Sequence, residues 1–259
     1  MILADPTSAS ITALTAGDAE QQFSIAYDPS SKTYSVSTSE LSNQQLRESD
    51  SYPASKWGPK YFNFGPANDD SFFHVVSVPD AEGERKYSYS NVALWGKGTG
   101  AYWDDASYTA FGQVTPNGAV PTAGKATYSG AIYGTSDIRL EDGLIGGTVP
   151  SAISGSVSLD FDFGAGKLSG SITPELIEWE DFPLATLFFT ETVFSVGSQS
   201  YAGKFDTTLE GPNYFTGLFT GPNAQETIGR WAFPFERPSD GALHNAWGVW
   251  LARPDPSKP

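Results

Sequence analysis

Residues 211–235, GPNYFTGLFTGPNAQETIGRWAFPF, read as two strands joined by one tight connection. In Tyr214–Thr220, Phe215, Gly217 and Phe219 fall on one side, and Thr216, Leu218 and Thr220 on the other. Successive side chains of a strand point to opposite faces, so this alternation marks a sheet with a distinct inner face. Further on, Gly229, Trp231, Phe233 and Phe235 oppose Ile228, Arg230, Ala232 and Pro234 in the same way. Trp231 and Phe233 are therefore expected in the core. Between the two runs lies Gly221-Pro222-Asn223-Ala224-Gln225-Glu226. Proline has no N–H to give to a ladder, so Gly-Pro ends the first strand. Asn223 with Glu226 three residues on predicts a single helical turn before the second strand. The unit carries no catalytic motif.

The rest of the chain extends this pattern. Of 259 residues, 39% are hydrophobic and 14% aromatic, enough for a packed core. Gly 27 and Pro 18 imply many turns, and no helical period of useful length runs through the sequence. The expected class is all-β. The net charge of −15 argues against nucleic acid and anionic membrane surfaces, both of which need Lys and Arg. It suits solubility and a basic partner. With no cysteine, disulfides, thiolate metal sites and a cysteine nucleophile are excluded. No run approaches the ~20 apolar residues of a membrane helix, and MILADPTSAS lacks the basic start and apolar core of a signal peptide.

In chain order, residues 1–22 read as a loose lead-in and 23–39 as a hairpin. Residues 41–47 suit a short helix. Residues 72–78, 86–95 and 108–114 read as strands. PNGAVPTAG, residues 116–124, clusters turn formers with no pattern crossing it. A boundary there divides the chain into a β-rich domain over 1–118 and a second domain over 119–259. Eight strands follow, over 125–134, 153–163, 167–173, 190–196, 200–209, 214–220, 228–235 and 244–252. They close into a small barrel, the last against the first, or form an open sandwich.

Four pieces resemble the transferrin-binding protein B-like proteins. They are Thr109-Ala-Phe-Gly-Gln-Val-Thr115 with Pro121-Thr-Ala-Gly-Lys-Ala-Thr-Tyr-Ser-Gly130, then Val157-Ser-Leu-Asp-Phe-Asp-Phe-Gly-Ala-Gly-Lys-Leu-Ser-Gly170. Phe219-Thr-Gly-Pro-Asn-Ala-Gln-Glu-Thr-Ile-Gly229 and the Ala246-Trp247-Gly248 of the last strand complete the set. The resemblance covers about residues 108–252. It implies an N-terminal β-rich handle domain followed by an eight-stranded antiparallel β-barrel. It further implies an exported binding protein of Gram-negative bacteria, a lipoprotein of the outer membrane or a secreted form. Such proteins capture an iron source or haem and act with an outer-membrane receptor. The chain departs from that pattern in having one handle–barrel unit and no anchoring cysteine.

The chemical candidates are few. His74 beside Phe72 and Phe73 is an ordinary strand histidine or a ligand for haem iron. His244 reads as a solvated strand-end residue. Glu178, Glu180 and Asp181 around Trp179 read as a solvated acidic loop rather than a glycosidase pair. Asp69-Asp70 and Asp104-Asp105 lack the spacing of a calcium loop. Aromatics in broken segments, Trp57, Tyr61 and Phe62 and then Tyr102 and Trp103, either pack the handle on the barrel or anchor a ligand. The reading is a monomeric, non-enzymatic binding protein without a resident cofactor or metal, taking a protein or haem ligand at Trp57, Tyr61, Phe62 and His74. The alternative is a carbohydrate-binding or adhesive surface module using the same aromatics.

Overall fold

The computed structural model describes residues 11–16, 24–28, 30–37, 44–47, 60–63, 71–76, 87–97, 105–142 and 147–255. Every regular element among them is a strand. The N-terminal unit contains β1 (Ile11–Thr15), β2 (Ser24–Asp28), β3 (Thr33–Ser37), β4 (Gln44–Arg47), β5 (Lys60–Asn63), β6 (Ser71–Val76), β7 (Ser90–Lys97) and β8 (Asp105–Gln113). Its main sheet runs β1-β8-β7-β6-β5, with β2-β3-β4 as a small separate sheet. The second unit contains β9 (Lys125–Asp142), β10 (Gly147–Asp162), β11 (Lys167–Ile177), β12 (Asp181–Pro183), β13 (Leu187–Val193), β14 (Ser200–Phe205), β15 (Tyr214–Thr220), β16 (Glu226–Glu236) and β17 (Leu243–Pro254).

These strands close a ring in the order β10-β9-β17-β16-β15-β14-β13-β11, and β11 pairs back to β10. The result is an eight-stranded antiparallel barrel, with β12 as a short extra strand on β11. Closure leaves no open edge in the ring, and the sandwich alternative is not adopted. The chain is all-β, a handle followed by a barrel.

Four sequence expectations change. Residues 41–47 contain β4 rather than a helix, because Tyr34 and Leu46 pair across β3 and β4. The lead-in contains β1, which pairs with β8 from Ile11↔Gln113 to Thr15↔Thr109. The connection 221–225 is a turn without a helix. Gly221 at φ 82 and Ala224 at φ 56 take left-handed conformations that a right-handed helix cannot contain. Finally, β13 runs over Leu187–Val193 rather than 190–196, and Glu191, at φ 46, sits where its register with β14 shifts.

The barrel interior is filled with rings. One end holds Tyr128, Phe161, Phe163, Phe194 and Phe219, with Phe161 touching the other four. Further along, rings lie flat on glycines of the neighbouring strand. A Cβ on Gly217 would fall 2.2 Å from the Tyr201 ring, and one on Gly229 2.2 Å from the Trp250 ring. The Tyr201 and Trp250 rings lie 6.5 Å apart and within 7° of parallel. Their polar atoms form one satisfied chain. Trp250 Nε1 donates to Tyr201 Oη at 3.3 Å, Tyr201 Oη to Thr227 Oγ1 at 2.6 Å, and Thr227 Oγ1 to the Leu218 carbonyl at 2.8 Å. Trp231 and Phe233 stack at 5.0 Å and are fully buried, as the alternation requires.

The outer wall of β16 and β17 is buried as well. Ile228, Val249 and Leu251 point away from the rings and meet Ala16, Tyr87, Val92 and Ala110 of the handle. Burial on both faces explains the nearly continuous apolar runs of these two strands. The chain between the units is also tied down. Thr115 N donates to Phe219 O and Gly221 N to Gln113 O, each at 2.9 Å. Ser90 and Thr220 hydroxyls meet at 2.6 Å, and Tyr87 Oη donates to Leu251 O at 3.0 Å.

The turn 221–226 is the centre of this junction. The buried Glu226 carboxylate accepts the Ser88 N–H at 2.6 Å and the Tyr89 N–H at 3.0 Å. Ala224, also buried, accepts the Tyr128 hydroxyl on its carbonyl. Burial raises the Glu226 carboxyl above its ordinary 4.5, and the N–H and hydroxyl donors only partly offset it.

Two measurements follow. Gly229→Ala forces a methyl into the Trp250 ring and should lower unfolding free energy by about 1–3 kcal/mol in urea. Gly164→Ala, whose Cβ meets nothing nearer than 3.7 Å, should leave it nearly unchanged. For Glu226, the folded state holds its proton to higher pH than the unfolded state. Its contribution to stability is present below pH 4.5 and is lost as pH rises through the folded value. Glu226→Gln should remove this slope from the pH–stability curve, and an unchanged slope would show that another group titrates there.

Candidate functional site

Side chains occupy the barrel interior. Of the ligand contacts singled out from sequence, Tyr61, Phe62 and His74 lie on described strands of the handle. Trp57 is outside the described residues, as are Asp69-Asp70, Tyr102, Trp103 and Asp104. Tyr61 and Phe62 lie on β5 and His74 on β6. The backbone register sets Tyr61 opposite His74 and Phe62 opposite Phe73. Tyr61 and His74 are therefore adjacent across two strands, although thirteen positions apart in sequence. β5 is the outermost strand of the handle sheet, and β1, β7 and β8 are the strands that pack on the barrel. Among the described residues, no cluster of three His, Asp or Glu is placed to hold a metal ion.

The barrel supplies a second surface that the alternation pattern does not announce. β11 and β16 stand four places apart in a ring of eight, so they face each other across the mouth. Beyond the end of β11, the hairpin to β12 carries Glu178, Trp179 and Glu180. Beyond the end of β16, the turn to β17 carries Arg237. Arg237 Nη2 lies 2.8 Å and Nε 2.9 Å from the same Glu178 oxygen. The β11–β12 hairpin therefore reaches across the mouth to the β16–β17 turn. The Glu178 side chain is only 6% exposed and Arg237 26%. The acidic stretch is thus not a fully solvated loop, because one of its carboxylates is buried against a guanidinium. Arg237 also meets Asp240 at 3.3 Å within its own tight turn. Trp179, the next residue after Glu178, is 75% exposed.

His244 differs from its expected role too. Its Nδ1 lies 2.7 Å from Asp137 Oδ1, while Asp137 Oδ2 accepts the backbone N–H and side-chain amide of Asn245. The pair ties β17 to β9 below the mouth. A third surface is a groove of ≈ 290 Å³ on the outer wall, where Leu14 of the handle meets Val193, Ala202, Thr216 and Leu218. Its polar lining consists of hydroxyls, and nothing in it resembles a catalytic grouping.

An all-β handle packed on a closed eight-stranded barrel is the fold of transferrin-binding protein B. The isotype 1 protein from serogroup B Neisseria meningitidis superposes with a TM-score of 0.53 at 16% identity, over 95% of this chain and 43% of that one. A double mutant of the vaccine antigen transferrin-binding protein B from Haemophilus parasuis Hp5 gives 0.51 at 15% identity, over 94% of this chain and 44% of that one. This chain spans less than half the length of either. No protein-family model matches the sequence, and no curated protein matches it. At this level of identity the shared property is the fold.

The mouth-spanning pair can be tested directly. Arg237→Ala leaves the Glu178 carboxylate buried without its cation and should cost about 1–3 kcal/mol, given that Arg237 is partly solvated. A double-mutant cycle with Glu178→Ala should return a clear coupling energy, and additive losses would show that the two groups do not interact in solution.

Proposed function

We propose that the chain is a non-enzymatic, exported binding protein of a bacterial cell surface that captures an iron source, haem foremost, for hand-over to an outer-membrane receptor. The observation that carries this reading is the handle-and-barrel fold with its interior closed by its own rings, which turns all recognition outward. The fold likeness to two transferrin-binding protein B structures supports a role in capture. The handle edge supplies suitable chemistry, because Tyr61 and His74 are register partners, and tyrosine and histidine are both residue types that ligate haem iron. Ligand then arrives and leaves at the sheet edge remote from the barrel, and the barrel serves as a rigid base.

The test is titration with haemin followed by absorbance in the Soret region. A saturable shift is expected with the native chain, reduced at least about tenfold in affinity by His74→Ala or by Tyr61→Ala. Retention on a glycan array without a haemin response would replace this reading with a carbohydrate-binding surface module. Changing Trp57 and Tyr61 together to Ala should abolish capture with the fold intact, and unchanged capture would move the site off the handle edge.

A further inference from the structure

We propose that the barrel mouth spanned by the Glu178–Arg237 pair is a protein-docking surface, with Trp179 as its anchor and a basic segment of a partner protein as its occupant. The inference rests on the reading of the chain as a binding protein, and it adds a second face to the handle edge. The first observation is exposure. Trp179 presents three-quarters of its surface to solvent, more than any other large hydrophobic described. Leu243 on the facing β16–β17 hairpin is also half exposed. Scattered surface apolar residues need no explanation, but these two stand on the two hairpins that the Glu178–Arg237 pair joins.

The second observation is rigidity. Trp179 follows directly on Glu178, which is buried and held by two N–H donors of Arg237. The hairpin's own two strands pair up to its turn, with Ile177 opposite Asp181. An aromatic side chain on a fixed base loses little freedom when it is buried in a partner, which is the property of an interface anchor.

The third observation is charge. Glu180, Asp181, Glu236 and Asp240 are all exposed around the two hairpins. Arg237, the cation between them, is already engaged by Glu178 and Asp240. A negative rim around an exposed tryptophan matches a partner that brings Lys or Arg around an apolar pocket. The rim steers the encounter and the ring supplies the contact. The same charge disfavours a second copy of this chain and an anionic bilayer.

The experiment is selection of a displayed library of random peptides on the native chain. Enriched peptides should carry net positive charge, bind more weakly as salt rises, and lose about tenfold or more in affinity on Trp179→Ala. Trp179→Phe should keep most of the binding. Trp179→Ala should melt at the temperature of the native chain, because the ring is solvated. Arg237→Gln, which releases the hairpin, should weaken the same peptides. Peptides that bind Trp179→Ala as well as the native chain would overturn the proposal, as would enrichment of neutral or acidic peptides, or no enrichment at all. Binding of glycans through Trp179 would overturn it in favour of a sugar platform. Haemin titration reads the handle edge and this selection reads the barrel mouth, so each can fail while the other stands.

Discussion

Everything in the barrel depends on rings lying flat against glycine positions of neighbouring strands, where there is no side chain. Tyr201 covers Gly217, Trp250 covers Gly229, and Trp231 covers Gly134 and Gly248. An eight-stranded barrel is just wide enough for side chains to fill, and rings of this size fit only where the facing position is empty. The glycines weaken their strands locally, since they give up backbone entropy and pack nothing themselves. The rings recover that loss through apolar burial and through the chain of hydrogen bonds from Trp250 to Leu218. Side chains of this core occupy the barrel interior.

The second constraint is that one side of the barrel is not surface at all. β16 and β17 bury rings inward and Ile228, Val249 and Leu251 outward against the handle. The handle sheet therefore serves as the missing outer layer for the most apolar strands. The junction is made specific by polar contacts rather than by area alone. Glu226 receives two backbone N–H groups of the handle, and the 113–115 segment pairs along 219–221. A carboxylate buried at such a place is stabilised only by donors that the other unit supplies, so the two units are matched to each other.

These two constraints leave two faces open. One is the handle edge, where β5 and β6 set Tyr61 beside His74. The other is the mouth, where an ion pair across the ring holds a hairpin in place and offers Trp179 outward. Recognition residues commonly occupy the edges and loops of a rigid scaffold.

The sequence by itself determined the class and the inner face, and it left closure open between a barrel and a sandwich until the β10–β11 pairing decided it. Strict alternation in 214–220 and 228–235 assigns Phe215, Phe219, Trp231 and Phe233 to the core, because the period of a strand allows no other side. Eight such runs after 124, with tight turns between them, are enough strands for a ring or for a sandwich. Tertiary structure alone decided the rest. The register that makes Tyr61 and His74 neighbours depends on pairing across a segment with no regular pattern. That residues 221–226 dock the handle and do not form a helical turn depends on left-handed residues and on N–H donors more than a hundred positions away. Glu178 and Arg237 are fifty-nine residues apart, and no local pattern links them. They meet only because ring closure sets β11 opposite β16, and that follows from the order of all eight strands taken together.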